Sequence, residues 1–529
     1  MSFDFDWLVI GSGFGGSVSA LRLAEKGYRV GVIERGRRYR DQDLPKSAWQ
    51  IGKFVWMPSL GLKGIMRNAL FRNVFSSSQT GVGGGSLVYG GVLFRARPAF
   101  FADPQWRELG AWEQRLDAHY AAAERMLGAR TVPFTSPAQE LSREMAQHFG
   151  VEKDFALAPV AVYFGEPGTT VKDPYFGGEG PDRTGCTRCG ACLVGCRTGA
   201  ANILTKNYLW FAEKRGVSIL AEREVVDVTP LGAEDGSDGY RITTERPGAW
   251  FARDRQVHTA RGVVFAGGAV GTNELLANCK HGGSLPRISD RLGELVRTNS
   301  ETVLTVRMAE DRKTWHDVAA SSRVLLDQDT QVEFLSYGRR GDLMSLFFTL
   351  LVGKRIGLPR LLQWLAVVLT HPLDWLKTMW PVGWSRRTVM MLVMRAFDDA
   401  IAFRAKKRWW GRGYRLVTEQ NRDRPAPTYI DIGHRAARWL AQRTGGVAQS
   451  SVFEAHGNLP MTAHVVGGAV IGADARHGVI DTRLQVFGYR NLVVCDAAAM
   501  PANPGVNPAL TITALAEYAM AQIQAVDSH

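Results

Sequence analysis

A glycine-rich turn between a short apolar strand and an apolar-periodic helix narrows the folds open to this chain more than any other feature. Residues Trp7 to Ile10 read as a buried strand, Gly11-Ser12-Gly13-Phe14-Gly15-Gly16 follows, and a helix runs to about Lys26. A second strand, Tyr28 to Ile33, ends at Glu34. Strand, G-x-G-x-x-G, helix, strand and terminal acid make the βαβ opening of a dinucleotide-binding fold. Gly11, Gly13 and Gly16, with Phe14 between them, let a pyrophosphate reach the helix N-terminus, and Glu34 can accept hydrogen bonds from an adenosine ribose. The pattern does not separate FAD from NAD.

The same layout returns twice. Val263-Val264-Phe265-Ala266-Gly267-Gly268-Ala269 reads as a parallel strand entering a glycine turn and a helix, Thr272 to Asn278. Near the end, a strand Leu492 to Cys495 precedes Asp496 and a helix beginning near Pro508. Both ends of the chain are therefore expected to build one discontinuous Rossmann-like α/β domain from residues 1–130, 200–309 and 455–529. Residues 131–199, rich in cysteine, form an insertion, and 310–454 form an inserted α+β substrate-binding cap. Within the cap, Leu343–Val352 and Leu361–Trp384 read either as amphipathic helices on a membrane surface or as a buried helix pair.

Composition excludes several classes. With 529 residues, 45% hydrophobic and 22% charged, the chain can bury a large core and is not disordered. No apolar run reaches the ~20 residues of a spanning helix. The opening Met1-Ser2-Phe3-Asp4-Phe5-Asp6 lacks the basic start and cleavage site of a secretory signal, so a cytoplasmic protein, peripheral at most on the inner face of the membrane, is expected. The net charge of +13 suits nucleic acid, an anionic membrane or an acidic partner. Lys406-Lys407-Arg408-Trp409-Trp410-Gly411-Arg412 combines cations with indoles, which fits lipid headgroups, single-stranded nucleic acid or a solvated hairpin. Nucleic acid is the weaker reading of the charge, since it leaves the segments around His464 and Asn507 unexplained.

Cys186, Cys189, Cys192 and Cys196 follow C-x2-C-x2-C-x3-C, the spacing of ferredoxin cluster loops, with Arg197 in place of the usual proline. A single [4Fe-4S] or [3Fe-4S] iron–sulfur cluster is expected. Zinc and disulfides are the rivals: four-cysteine zinc sites join two more widely separated knuckles, and disulfides are rare in the cytoplasm.

Three further stretches carry a resemblance. Gly81-Val82-Gly83-Gly84-Gly85-Ser86-Leu87-Val88-Tyr89-Gly90-Gly91, Gly267 to Leu276, and Gly505-Val506-Asn507-Pro508 occur in the order seen in the glucose–methanol–choline flavoenzymes. The chain resembles the cholesterol-oxidase-like branch of that family. The resemblance implies FAD, with Gly83, Gly84, Gly85 and Ser86 against the flavin, Val225 touching adenine through its backbone, and Asp496 near the ribityl chain. Asn507, Pro508 and Ala509 would bring a helix N-terminus to the ring. Tyr89 stands where the family shows Asn, and Ala509 where it shows an aromatic residue.

Ala463-His464-Val465-Val466-Gly467-Gly468 is similar to the family's catalytic histidine segment, with Val-Val replacing Pro-Leu. Alcohol oxidation removes a proton from oxygen while hydride leaves carbon for flavin N5, and the imidazole of His464 suits the proton's part. Asn507 would hold the same hydroxyl, although an Asn before Pro is also a helix cap. Glu333 is a third catalytic candidate, by resemblance to a sterol-site base; a surface strand carboxylate is its plainer reading. The expected activity is oxidation of a hydrophobic secondary alcohol, a sterol 3-hydroxyl foremost, with electrons leaving through the cluster to an external protein or quinone acceptor. The alternatives are a long-chain or terpenoid alcohol dehydrogenase or oxidase, and a membrane-surface flavin and iron–sulfur electron-transfer protein.

Overall fold

A computed structural model describes residues 2–354, 357–409, 413–423 and 425–526. The end of the basic segment, residues 410–412, lies outside the described residues. The opening turn is found where the pattern places it, between the strand Phe5–Ile10 and the helix Phe14–Glu25, with the strand Val30–Glu34 beyond. These strands pair in parallel, and Phe5–Ile10 also pairs in parallel with Gln256–Phe265. Ser218–Ala221 extends the sheet on one side. On the other, the long strand Gln256–Phe265 divides its free edge: its first half pairs with Tyr240–Glu245, and its last three residues pair with Leu492–Val494. The chain's end is thus hydrogen-bonded into the sheet that its beginning starts. Leu8, Val9, Val32, Val263 and Val264 are buried on both faces, which is why these strands read as continuous apolar runs.

A second seven-stranded sheet is antiparallel. Its order is Phe348–Leu350, Val447–Ser451, Thr302–Arg307, Thr388–Arg395, Thr330–Leu335, Ala320–Leu325 and Phe155–Leu157. It takes two strands, Phe155–Leu157 and Thr302–Arg307, from before residues 310–454. Alternation along the strands divides its side chains between two layers. Leu304, Val306, Val332, Phe334, Val389, Met391 and Val393 pack beneath the helices Pro137–His148 and Asp431–Thr444. The opposite face presents Val303, Leu335, Met390 and Leu392 to a cavity.

The two cap segments differ. Leu343–Val352 is not a helix: Asp342–Phe347 is a 3-10 turn and Phe348–Leu350 an edge strand. A short apolar run of that length does not distinguish helix from strand. Leu361–Trp384 does form helices, Arg360–Thr370 and Pro372–Met379, but they do not bury their leucines. No helix among the described residues is long and apolar enough to cross a membrane.

Candidate active site

One cavity of about 570 Å³ runs from the glycine turns to the antiparallel sheet. Its wall collects Gly11, Gly13 and Phe14 from the first turn, Glu34, Gly84 and Gly85, Val225, Asp496, and Asn507, Pro508 and Ala509. Gly16, Gly83 and Ser86 lie outside the wall and hold the turns in place. A Cβ on Gly16 would meet the Gly11 carbonyl oxygen at 2.0 Å, and the Ser86 hydroxyl donates to the Gly83 carbonyl while accepting from Leu204 N–H. Gly84 adopts φ +50° with the Gly13 Cα 2.6 Å from where its Cβ would stand, so the two glycine turns touch backbone to backbone. A side chain on Gly13, by contrast, would meet nothing within 4 Å.

Glu34 is already fully engaged. One carboxylate oxygen accepts from the Ser12 N–H (3.1 Å) and hydroxyl (2.8 Å), and the other from Gly36 N–H (2.8 Å) and Gly81 N–H (3.3 Å). It ties the tip of its strand to both glycine turns. Asp496 does similar work, accepting from Gly268 N–H (2.8 Å), the Thr272 hydroxyl (2.5 Å) and Ala498 N–H (2.7 Å). Burial pushes its carboxyl up to about 6 despite these donors. Arg35, Arg67 and Arg223, which no motif marked, also line the cavity. The neighbouring Arg35 charge, with burial, lowers Arg67 to about 10. A pair of like cations in a cavity wall is complementary to an anion. Open glycines at a helix N-terminus fit a dinucleotide pyrophosphate, while Arg67 and Arg223 are paired with Glu274 at 3.1 Å and Asp254 at 2.7 Å.

At the antiparallel sheet, His464 Nδ1 lies 2.8 Å from Glu301 Oε2. A carboxylate only accepts, so the proton sits on Nδ1 and Nε2 is free to accept another. Glu301 is buried, and the segment bearing His464 grips it: the Thr462 hydroxyl donates to Oε2 at 3.0 Å and Ala463 N–H approaches Oε1 at 3.4 Å. Burial lowers the proton affinity of His464, but the charge and hydrogen bond of Glu301, and then the charge of Glu333, raise it above the ordinary histidine value. Glu301 was missed in the sequence because a lone acid in Asn299-Ser300-Glu301-Thr302 has no motif. Its two-residue spacing from cavity-facing Val303 was the available signal.

Asn507 is not a helix cap. Its Nδ2 donates to Glu333 Oε2 at 3.3 Å, while its Oδ1 is buried without a partner. Glu333 is no surface carboxylate either. It is 1% exposed, accepts also from Gln331 Nε2 at 2.7 Å, and stands behind Asn507 instead of in the cavity wall. Burial pushes it up to about 7, the Asn507 hydrogen bond, the His464 charge, the Gln331 hydrogen bond and the Arg323 charge only partly opposing the shift. Tyr89 also lines the cavity, and its hydroxyl donates to the Asn202 carbonyl at 3.1 Å.

The four cysteines do not form the expected metal cage. They share one loop, and the charges of Cys196 and Cys189 add to the raised proton affinities of Cys186 and Cys192. Yet among the described residues no three His, Cys, Asp or Glu side chains are grouped to hold a metal ion. Cys186, Cys192 and Cys196 instead pack against Val92, Phe94, Val160, Val162 and their neighbours. Burial among these apolar side chains drives Cys186 up to about 12. The residues as arranged do not fit an iron–sulfur cluster.

Fold and cavity together define a dinucleotide-dependent α/β oxidoreductase. Residues 430–516 match the GMC oxidoreductase family and residues 9–39 an NAD(P)-binding Rossmann-like domain. A cholesterol oxidase of Acinetobacter baumannii is 41% identical over 99% of this chain and 95% of its own length. A cholesterol oxidase of Mycobacterium tuberculosis is 43% identical over 98% of this chain and 91% of its own. Pyridoxine 4-oxidase from Mesorbium loti shares the fold at TM-score 0.63 and 15% identity, each chain covered to 98%. A fungal aryl-alcohol oxidase does so at TM-score 0.57 and 13% identity, covering 98% of this chain and 99% of that one. The chain belongs to the GMC oxidoreductase family, in its cholesterol-oxidase-like branch, and is a flavin-dependent alcohol oxidoreductase.

Proposed function

We propose that the protein oxidises the hydroxyl of a hydrophobic secondary alcohol, a sterol 3-hydroxyl foremost, with His464 as the proton acceptor. The observation that carries this reading is the division of the cavity. His464, Glu301 and Asn507 supply a small polar cluster, and Val303, Leu335, Phe347, Met390 and Leu392 supply an apolar wall. Such a wall suits a rigid hydrocarbon body with a single hydroxyl. FAD, when bound, supplies the hydride acceptor, and Gly11, Gly13, Phe14, Gly84, Gly85, Val225, Asp496, Pro508 and Ala509 would hold it.

The chain's own residues handle the proton. Glu301 fixes the ring so that Nε2 receives the hydroxyl proton, and the nearby carboxylate stabilises the imidazolium that results. Asn507, anchored by Glu333 through one amide N–H, has a second N–H to donate to the hydroxyl oxygen, which leaves the hydroxyl proton for His464. An external acceptor takes the electrons afterwards.

The test is the visible spectrum of anaerobically purified protein, recorded before and after adding a 3β-hydroxysteroid and, separately, a long-chain alcohol. Flavin absorbance should bleach with the steroid in the wild type, and far more slowly in His464→Ala. Bleaching by the long-chain alcohol alone would replace the sterol reading. Bleaching by the steroid at an unchanged rate in the variant would remove His464 from its role.

A further inference from the structure

The segment from Arg297 to Glu301 touches both halves of the polar cluster, and two of its residues do so in an unusual backbone conformation. Asn299 and Ser300 adopt φ +58° and +42°, the left-handed region, which asparagine visits more readily than most residues and serine does not. Two successive non-glycine residues stay there only when their surroundings hold them. Both are fully buried, so the bonds that hold them are shielded from water.

On one side the segment holds His464. Besides the Glu301 contact, the Thr462 hydroxyl accepts from His464 N–H at 2.9 Å and shares its own proton between Glu301 Oε2 at 3.0 Å and the Thr298 carbonyl at 3.1 Å. On the other side it holds the loop that leads into Asn507. Arg297 Nε donates to the Pro501 carbonyl at 3.2 Å, and Asn299 N–H donates to Asn503 Oδ1 at 2.7 Å. The Asn299 amide then grips the two residues before Asn507: its Nδ2 donates to the Val506 carbonyl at 3.1 Å, and its Oδ1 accepts from Gly505 N–H at 3.0 Å. In a regular strand Asn299 and Glu301 would serve the same face. The left-handed pair lets one of them reach the loop before Asn507 and the other reach His464. The Asn299 carbonyl also accepts from Arg395 N–H at 3.1 Å, at the end of the strand whose Met390 and Leu392 form part of the apolar wall.

We propose that Asn299 is a positioning residue for the reaction: it fixes the separation between the His464 ring and the Asn507 amide, so that one substrate hydroxyl meets both. This rests on the roles given above to His464 and Asn507 and is independent of which alcohol is oxidised.

The experiment is a double-mutant cycle between Asn299→Gly and Asn507→Ala in the flavin-loaded, full-length protein. Glycine keeps the left-handed backbone of residue 299 and removes only its two side-chain bonds. Flavin bleaching at saturating alcohol should slow roughly tenfold to a hundredfold in Asn299→Gly. KM, set by the apolar wall, and the acid limb of the pH profile, set by Glu301 and His464, should stay near wild type. Asn507→Ala should cost at least about threefold less in the Asn299→Gly background than in the wild type, because an amide already displaced has less to lose. Asn299→Asp, which keeps an acceptor for Gly505 N–H, should fall between wild type and the glycine variant, and it carries the cycle should the glycine variant load flavin poorly. Hydrogen exchange, read without turnover, should quicken at the Gly505 amide in Asn299→Gly and stay unchanged at the His464 amide. A lower Tm with a wild-type bleaching rate per bound flavin, losses that simply multiply in the double variant, or unchanged exchange at Gly505 would each make Asn299 a structural residue and overturn the proposal. Multiplying losses beside normal bleaching by a steroid would do so while sparing the sterol reading. The expected cycle obtained with a long-chain alcohol, where the steroid fails to bleach, would support the positioning role and remove the sterol reading alone.

Discussion

His464 has a carboxylate in contact on one side and the field of a second from behind Asn507, so its protonation is set by both. A protonated His464 cannot accept the substrate proton, and its raised affinity places the acid limb of kcat/KM above the pH of an ordinary histidine. Glu301→Gln removes the nearer charge, so that limb should move to lower pH while kcat falls, because the ring is no longer held in one tautomer. Glu301→Asp should recover part of kcat. A pH profile that keeps its shape in Glu301→Gln would reduce Glu301 to a structural group. His464→Ala should lose roughly 10²–10⁴-fold in the rate of flavin bleaching by substrate, the usual range for a positioned proton acceptor. Glu333 gives a stability prediction. Its folded-state value of about 7 lies above the ordinary 4.5, so between these pH values the folded protein holds a proton that the unfolded chain has released. Stability from this group is present below the lower value and is lost as pH rises through the higher. The gain in Tm on Glu333→Gln should therefore be larger at pH 8 than at pH 5, and a gain independent of pH would show that the carboxyl does not titrate in this window.

The opening turn separates glycines that serve the fold from one that serves a ligand. A Cβ on Gly15 would stand 1.6 Å from the Cys495 carbonyl oxygen, whereas one on Gly13 stands in open cavity, at a backbone φ of −71° that any residue tolerates. Gly15→Ala should destabilise the protein by about 1–3 kcal/mol or more, as overpacking does. Gly13→Ala should leave the flavin-free protein within about 0.5 kcal/mol of wild type, yet lower its flavin content on purification. Thermal melts of flavin-stripped protein, beside the ratio of flavin to protein absorbance, distinguish the two effects. This turn was legible in the sequence because glycine spacing, flanking apolar strands and the acid at position 34 all report one local geometry. The antiparallel sheet was not. Thr388–Arg395 is buried along nearly its whole length by helices on one face and the cavity on the other, so it shows no alternation. Leu343–Val352 fails because an apolar run of that length fits a turn, a strand or a helix alike. The cysteine loop misled because spacing records which sulfurs lie near one another, while apolar packing decides whether they converge as thiolates. Of the polar cluster, His464 and Asn507 were marked by resemblance, but Glu301 meets them only through sheet register between residues far apart in the chain.

At the scale of the whole molecule, the cavity draws its wall from Ile10–Gly15, Gly84 and Gly85, Arg223–Val225, Ala266–Gly271, Asp496 and Asn507–Ala509, so its ligand touches the first strand, the middle and the last helix. Apolar packing joins these parts away from the cavity, while at the cavity itself the links are polar, Glu34 bridging two turns and Asp496 bridging two segments. A ligand that binds only the folded state adds RT ln(1 + [L]/Kd), about 2.7 kcal/mol at one hundred times Kd. Stripping FAD should therefore lower Tm, and adding it back should restore Tm in proportion to the logarithm of its concentration; NAD should not substitute. The loss should also be uneven. Hydrogen exchange in the stripped protein should quicken at Gly11–Gly16, Gly267–Gly271 and Asp496–Ala509, segments that contribute residues to the cavity wall. It should change little in Val389, Met391 and Val393, which pack beneath helices on the far face of the other sheet. Uniform acceleration would mean that the two sheets unfold as one unit and that the cofactor supports the whole core, while no change at the glycine turns would mean that the junction holds itself together without it.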